Sequence, residues 1–407
     1  MTTVGFIGLG KLGMACAEVM AEQYEVFGYD IAPRSSTSVR VKSTLQEAVT
    51  GRDIIFVAVQ TPHDPAYDGS TPSLHLEPKD FSYDIVKRAL SDINQYVTKD
   101  QLVVLISTCL PGTTRRELVQ HITNARFIYN PYLIAMGSTK WDMVHPEMVI
   151  IGTEDGSKTT DAKKLVDFYR PLMKNDPRYA IGTWDEAESI KIFYNTMIST
   201  KIGLANMIMD VAVKNGNINV DVVTDALAQS TMRIMSPKYM KAGMGDSGGC
   251  HPRDNIALRY LSQQLGLGYD LFGAIMAARD LQAKNIAEFL AATQRKEKLQ
   301  IVIHGKAFKP DVASTEGSYS LLIGHYLTEM GASFVYADPL TKDFITNPEP
   351  SIVLLAHNRK VTYGYTDASS EQNLYFPLLG GSIVVDPWRE FTTNRSDISV
   401  IHYGNTR

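Results

Sequence analysis

Short apolar runs alternate with stretches of helical spacing over the first part of the chain. Val4 to Ile7 ends in Gly8-Leu9-Gly10-Lys11-Leu12-Gly13, after which Met14, Ala15, Ala17, Val19 and Met20 recur as on one face of a helix. Further runs lie at Glu25–Asp30, Asp53–Val59, Leu102–Ser107, Phe127–Tyr129 and Met148–Ile151. Continuous apolar strands between helices predict a parallel sheet covered on both faces.

Near residue 184 the period changes. From Asp185 to Val213 there is no proline or turn cluster, and Ile190, Phe193, Tyr194, Met197, Ile198, Ile202, Ala205, Ile208 and Met209 keep helical spacing, predicting one long helix ended by Asn215-Gly216-Asn217. Helical patterning resumes at Val220–Leu227 and from Asp254 to about Thr293, with a glycine-rich loop from Pro237 to Pro252 before it. Gln294 to Lys298 reads as a charged, solvated linker. A βα rhythm then restarts with Ile301–Gly305, Phe334–Asp338, Ser351–Leu355 and Ser382–Asp386. The expected architecture is α/β: two Rossmann-like, doubly wound domains joined by a long central helix and a small helical domain. The expected divisions are residues 1–184, 185–293 and 294–407.

Composition narrows the function. With 44% hydrophobic and 21% charged residues, the chain has the balance of a globular protein. A formal charge of −4 gives no bulk attraction to nucleic acid or an anionic membrane. No run is long and apolar enough to span a bilayer, and Met1 to Gly8 carries no signal-peptide pattern, so a cytoplasmic protein is expected. The cysteines Cys16, Cys109 and Cys250 include no CxxC pair and suggest neither a disulfide framework nor a zinc site.

Four segments carry chemistry. In the first turn, Gly8 permits the bend, Gly10 lets backbone approach a pyrophosphate and Gly13 allows close helix–strand packing. Asp30 ends the next strand at the spacing of about 20 residues expected for a carboxylate that binds the ribose hydroxyls of NAD. Arg34, nearby, would soften the preference for NAD over NADP. In the second, Ser247-Gly248-Gly249-Cys250-His251-Pro252-Arg253-Asp254, a cysteine stands where a helix is about to begin; helix dipole and Arg253 both favour thiolate. From this loop alone, a nucleophile and a buried structural thiol are equal readings. Third, Lys191 and Asn195 form an i, i+4 pair that could stabilise an oxyanion, although such a pair seen alone is more often a snorkelling lysine beside an ordinary surface amide. Last, Ser107-Thr108-Cys109-Leu110-Pro111-Gly112-Thr113 follows a strand beside the cofactor crevice, with Thr113 a candidate helix cap.

The ordered set resembles the UDP-glucose/GDP-mannose dehydrogenase family over nearly the whole chain. Its parts are the glycine turn with Asp30, Val59-Gln60-Thr61-Pro62, Ser107-Thr108 with Pro111-Gly112-Thr113, Glu188-Ser189-Ile190-Lys191 with Asn195, and Arg233-Ile234. They continue through Pro237-Lys238-Tyr239-Met240, Gly243-Met244-Gly245, Gly248 to Asp254, Gly305-Lys306-Ala307-Phe308-Lys309, and Val385-Asp386 with Arg389. The resemblance implies oxidation of a nucleotide sugar at its C6 alcohol to a uronic acid with two NAD. A UDP-hexose is the default substrate, and a homodimer is expected through the central helix.

By the same resemblance, Cys250 matches the nucleophile, Lys191 and Asn195 the oxyanion pair, Asp254 the carboxylate near the attacking water, and Thr108 a threonine near the reacting centre. Gly8, Gly10, Leu12, Gly13, Asp30, Thr61, Pro62 and Thr108 match cofactor positions. Asn130, Tyr132, Leu133, Arg233, Tyr239, Gly243, Gly249, Phe308, Lys309 and Arg389 match substrate positions, with Arg233 reaching a neighbouring subunit.

The chain departs from the family at several places. Tyr132 and Met136 stand where the family carries glutamates, and a tyrosine, with an ordinary pKa near about 10, is a poor base at neutral pH. Arg253 replaces a lysine, and Glu316 stands where an arginine is common. Two other readings compete: a degenerate protein that binds NAD or nucleotide sugar without turnover, and a β-hydroxyacid dehydrogenase, which would use Lys191 and Asn195 but needs neither Cys250 nor a second α/β domain.

Overall fold

The computed structural model describes residues 2–62, 80–135, 137–158, 160–236, 242–247, 250–310, 312–357, 365–366 and 373–405, without the side chains of 202, 203, 206, 250, 251, 253, 254, 257, 260, 365, 366 and 373. Two compact units divide the chain, Met1–Lys201 and Ile202–Arg407.

The first unit contains β1 (Thr3–Ile7), α1 (Lys11–Met20), β2 (Glu25–Tyr29), β3 (Arg40–Val41), α2 (Leu45–Val49), β4 (Ile54–Val57), α3 (Asp84–Asn94), β5 (Leu102–Leu105), a π-helical turn (Thr114–Leu118), β6 (Arg126–Tyr129), α4 (Thr139–Val144), β7 (Met148–Thr153), α5 (Thr160–Tyr169), β8 (Arg178–Thr183) and the start of α6 (Trp184–Asn215). Its sheet has the order β3-β2-β1-β4-β5-β6-β7-β8. Successive residues are buried on opposite faces. Val4, Phe6, Phe56 and Val104 join the core with α1 and α5. Ile7, Ile55, Val57, Val103 and Leu105 join the core with α3. That two-sided burial is why these strands read as unbroken apolar runs.

The sheet is not parallel throughout: β6 and β7 pair antiparallel, Tyr129 against Gly152. The chain leaves β6 at its carboxyl end and re-enters the sheet from that end, so β7 and β8 run opposite to the other six strands. Because β1 connects to β2 on one side and neighbours β4 on the other, the topological switch lies between β1 and β4. Ligands of open α/β sheets sit at the strands' carboxyl ends at such a point.

The second unit holds the rest of α6, then α7 (Val220–Ala228), α8 (Cys250–Gln264), α9 (Leu271–Glu297), β9 (Gln300–His304), α10 (Tyr319–Glu329), β10 (Phe334–Ala337), β11 (Ser351–Leu355), β12 (Tyr365–Thr366), β13 (Asn373–Leu374), β14 (Ile383–Asp386) and β15 (Ser399–His402). Its main sheet, β10-β9-β11-β14-β15, is parallel throughout.

Two expectations need correction here. The helical run from Asp254 to Thr293 is two helices, broken where Gly266 and Gly268 take φ of +57° and +81°. The expected linker from Gln294 to Lys298 is instead the last turn of α9: Arg295 and Lys296 sit favourably at the helix C-terminus, and Lys298 closes it in the left-handed conformation. Charge there marks a helix end, not a loop. Among the described residues no helix is long and apolar enough to cross a membrane.

Candidate functional site

The glycine turn has the geometry its spacing predicts. Gly8 has φ +95°, and a Cβ on it would lie 2.5 Å from the Ala58 carbonyl oxygen. A Cβ on Gly13 would run into the Gly8 carbonyl oxygen, so only glycine lets α1 press against the turn. Gly10, the N-cap of α1, has no side-chain cap, and nothing stands within 4 Å of where its Cβ would be. The free amides of the first helical turn, beside half-exposed Leu12, therefore look onto open space, the arrangement that holds a phosphate.

Asp30 accepts hydrogen bonds from the Leu9 amide at 2.7 Å and the Ala32 amide at 2.8 Å, with Arg34 Nε 3.8 Å from Oδ1. A cleft of about 790 Å³, lined by Gly8, Gly10, Asp30, Arg34, Gln60 and Tyr96 among others, opens at this point. Open backbone donors, a carboxylate at the cleft wall and sufficient volume fit a dinucleotide. Thr61 and Pro62 come directly after Gln60, and the Pro62 carbonyl accepts from the Ser82 amide at 2.9 Å.

The loop after β5 carries Thr108, half-buried, beside Ser107, whose hydroxyl donates to the Val59 carbonyl at 2.6 Å. Cys109 is fully buried. Its thiol donates to the Ser107 carbonyl at 3.4 Å, and burial pushes its pKa well up, which removes it as a nucleophile. Thr113 is not the cap that the sequence suggests. It has helical φ and ψ and makes no side-chain cap. Glu188, the first residue of α6's Glu-Ser-Ile-Lys segment, caps this turn instead, accepting from the amides of Gly112 at 2.5 Å and Thr114 at 2.7 Å.

After β6, Asn130 is fully buried and its side chain is committed: Nδ2 donates to the Ile150 carbonyl at 2.6 Å, and Oδ1 accepts from the Tyr169 hydroxyl at 2.5 Å. The Tyr169 oxygen is 2.7 Å from the Tyr132 hydroxyl, which therefore donates into this ladder. Burial raises the pKa of both phenols, so neither is a base near neutrality. Leu133 is half-buried against the core below.

On α6, Lys191 is half-buried, and burial holds its ammonium below the ordinary lysine value. Asn195, one turn on, is exposed. So are Phe193, Met197, Ile198, Leu204 and Met209, an uncovered apolar series on the same helix.

In the second unit, Cys250 is the first residue of α8 and Asp254 lies one turn further in. Their side chains, like residues Met136, Tyr239 and Gly249, lie outside the described residues. The segment before them is firmly held. A Cβ on Gly243 would run into the Trp388 ring, and one on Gly245 into the Tyr319 ring. Asp246 accepts from Arg279 at 2.5 Å. Arg389, at φ +58°, donates to the carbonyls of Ala242 at 2.6 Å and Tyr403 at 3.2 Å and to that of Pro387. Phe308 is half-buried, with its amide on the Ser314 carbonyl at 2.9 Å, and the Lys309 ammonium lies 5.2 Å from the Phe308 ring centre. Arg233 and Glu316 are exposed.

Two family models match the chain. The NAD binding domain of the UDP-glucose/GDP-mannose dehydrogenase family matches residues 31–173, and the central domain of the same family matches residues 185–280. The glycine turn and Asp30 precede the matched residues, so their reading rests on the geometry above.

Among characterised proteins, UDP-glucose 6-dehydrogenase TuaD of Bacillus subtilis (strain 168) is 26% identical over 354 residues, covering 84% of this chain and 70% of that one. UDP-glucose 6-dehydrogenase of Caenorhabditis elegans is 27% identical over 329 residues, covering 76% and 65%. Among solved structures, a ternary complex of GDP-mannose dehydrogenase from Pseudomonas aeruginosa superposes with a TM-score of 0.78, covering 98% of this chain and 99% of that one at 19% identity, which shows the fold.

Proposed function

Because the chain belongs to the UDP-glucose/GDP-mannose dehydrogenase family, with NAD as cofactor, we propose that it oxidises the C6 alcohol of a nucleotide sugar to the uronic acid through a thioester on Cys250. The observation that carries this reading is the placement of Cys250 as the first residue of a 15-residue helix. There the helix dipole favours thiolate, whereas Cys109 is sealed, its thiol pushed up by burial.

NAD bound at the glycine turn supplies the chemistry of hydride acceptance, once for each of two oxidations. Lys191 and Asn195 hold the C6 oxygen as the alcohol loses its proton and the aldehyde forms, stabilising charge where it develops. The Cys250 sulfur adds to the aldehyde carbon, forming a C–S bond and a hemithioacetal that cannot diffuse away. Loss of the second hydride leaves a thioester. Water then attacks the same carbon, the C–S bond breaks, and the thiolate is regenerated, with Asp254 orienting the water. Tyr132 is excluded as the base for that step by its ladder to Tyr169 and Asn130.

In this reading Thr108 would serve the reacting centre, and Leu133, Arg233, Gly243, Phe308 and Lys309 would contact the nucleotide sugar, as would Tyr239 and Gly249, which lie outside the described residues. Asn130 and Arg389 act through the backbone they fix. The division at residues 184 and 293, a homodimer across the exposed apolar residues of α6, a cytoplasmic location and a UDP-hexose substrate belong to this proposal.

The test is incubation with NAD and a panel of UDP- and GDP-sugars, counting NADH formed per sugar consumed and weighing the protein and products. Two NADH and a uronic acid are expected. Cys250→Ser should bind NAD normally yet yield no acid, and full acid formation by that variant would end the covalent mechanism. Binding of both ligands with no NADH from any sugar would favour a binding protein that has lost turnover.

A further inference from the structure

Glu188 is a carboxylate with no exposed surface; among the described residues no Lys, Arg or His makes a direct ion pair with it, and Arg115, committed to Asp185, acts on it only from a distance. Burying a charge without a counter-ion is expensive unless hydrogen bonds replace water. Here two backbone amides do so, those of Gly112 and Thr114. Burial still raises the carboxyl's pKa.

A helical turn can be capped cheaply from within, by the residue that precedes it. Thr113 occupies that place and does not cap. The cap arrives from a helix 74 residues further along the chain. A surface pair doubles the attachment: Arg115 of the same turn donates to Asp185 at 2.7 Å, one helical turn before Glu188. Such an exposed pair contributes little by itself, which leaves Glu188 as the principal polar tie, beside the apolar packing of Trp184 and Ala187 in the core they share with Cys109 and Leu118.

The two ends of that tie are what matter. Residues i, i+3 and i+7 of a helix share a face, so Glu188 stands on the face that carries Lys191 and Asn195. Gly112 belongs to the loop that carries Thr108 beyond the carboxyl end of β5, and Thr114 opens the turn that ends it. We infer that Glu188 is a positioning residue: by capping the turn at Gly112 and Thr114 it fixes the Lys191–Asn195 face of α6 against the Thr108 loop. This inference rests on the oxidation proposed above. Glu188 touches no reacting atom; it sets the depth and rotation of the side chains that do. A small misplacement of such groups slows a reaction far more than it weakens binding.

Glu188→Gln tests this. One side-chain oxygen still accepts, but the new amide faces a backbone N–H, donor against donor. The turnover rate should fall roughly 10–100-fold, while KM for NAD and for the sugar stays within about twofold of wild type, the split expected when only transition-state placement is lost. A second variant, Thr113→Asp with Glu188→Gln, restores a cap from within the turn but not the tie to α6. Its thermal stability should recover and its rate should not.

A readout without turnover is the titration of Lys191, followed by NMR of the 13C-methylated amine, which should move up towards the ordinary lysine value in Glu188→Gln. A folded Glu188→Gln with wild-type rate and unmoved Lys191 overturns the inference. So does recovery of the rate in the double variant, which would make Glu188 a cap and nothing more. If wild type oxidises no nucleotide sugar yet Lys191 moves, the positioning role stands and the proposed reaction falls.

Discussion

The two sheets of this protein begin with the same device and use it differently. In the first unit, Gly8 at φ +95° donates to the Tyr29 carbonyl at 2.9 Å, and Asp30 takes the amides of Leu9 and Ala32. In the second, Gly305 at φ +103° donates to the Ala337 carbonyl at 2.9 Å, and Asp338 takes the amides of Lys306 and Ala307 with one oxygen and of Leu340 with the other.

The two units part company after the glycine. In the first unit α1 begins at Lys11 and its N-terminus faces the cleft. In the second the helix that follows, α10, begins only at Tyr319, and Asp338 has no exposed surface. A glycine and a carboxylate tying the first strand to the second are therefore a folding device. They become a cofactor site only when the carboxylate reaches an open cleft beside free helix amides.

The largest effects should separate these uses. Asp338→Ala leaves one buried amide, that of Ala307, and two half-buried ones, those of Lys306 and Leu340, without their partner, at roughly 1–3 kcal/mol for the buried one and less for the others, so the second sheet should lose roughly 2–4 kcal/mol of stability while NAD affinity holds. Asp30→Ala, at the cleft wall, should do the reverse: NAD affinity falls by roughly 1.5–3 kcal/mol, the worth of hydrogen bonds to a charged group, with a smaller loss of stability. Hydrogen exchange read separately for β1–β2 and β9–β10, together with NAD titration, checks both. Equal destabilisation by the two variants, with NAD binding unmoved, would erase the distinction.

A second contrast lies one residue before each glycine. Ile7 and His304 are both buried there. His304 accepts from the Tyr375 amide at 2.9 Å and stacks on the Tyr375 ring, and burial lowers its pKa to about 3. The unfolded chain takes up this proton below about pH 6.5, whereas the folded protein refuses it down to about pH 3. Stability from this group is thus complete above about pH 6.5 and is lost progressively as pH falls towards about 3, at up to about 1.4 kcal/mol per pH unit. His304→Gln keeps an acceptor for Tyr375 and should flatten the acid limb of the second sheet's stability profile alone. An unchanged slope in urea titrations between those limits would remove His304 from the account.

How much of the fold and site is legible in the sequence depends on the range of the interactions. The glycine turn, Asp30 and the long helix are local patterns, and the sequence carries them plainly. Lys191 and Asn195 are legible as a pair for the same reason. The Asp338 clamp uses the same residue types, but the long stretch between Lys306 and α10 removes the helix that makes the motif recognisable. Strands β3, β8 and β15 give no clear signal because they are short or partly exposed and lack the doubly buried apolar run. Glu188 as the cap of a distant turn is a tertiary fact. Its one sequence signal is a carboxylate flanked by Ala187 and Ile190 on a face that should be buried. The antiparallel entry of β7 likewise depends on which end of the sheet the chain re-enters, and no residue pattern states that.

The smallest effect sharpens the comparison most finely, because it separates folding from binding within one motif. Gly10 has φ −69° and open space where a side chain would go. Alanine there should change folding little, since the native backbone suits any residue and the unfolded chain loses freedom, a gain offset by alanine's poorer standing at an N-cap. The methyl group would instead meet the pyrophosphate, so NAD should bind roughly tenfold more weakly, about 1.4 kcal/mol. Gly13→Ala must fail the other way, by collision with the Gly8 carbonyl, and should unfold the turn before binding is measurable. Calorimetric unfolding and NAD titration of the two alanine variants decide the matter. If Gly10→Ala binds NAD as wild type does, the pyrophosphate does not pass over this turn, and the open space at Gly10 has another use.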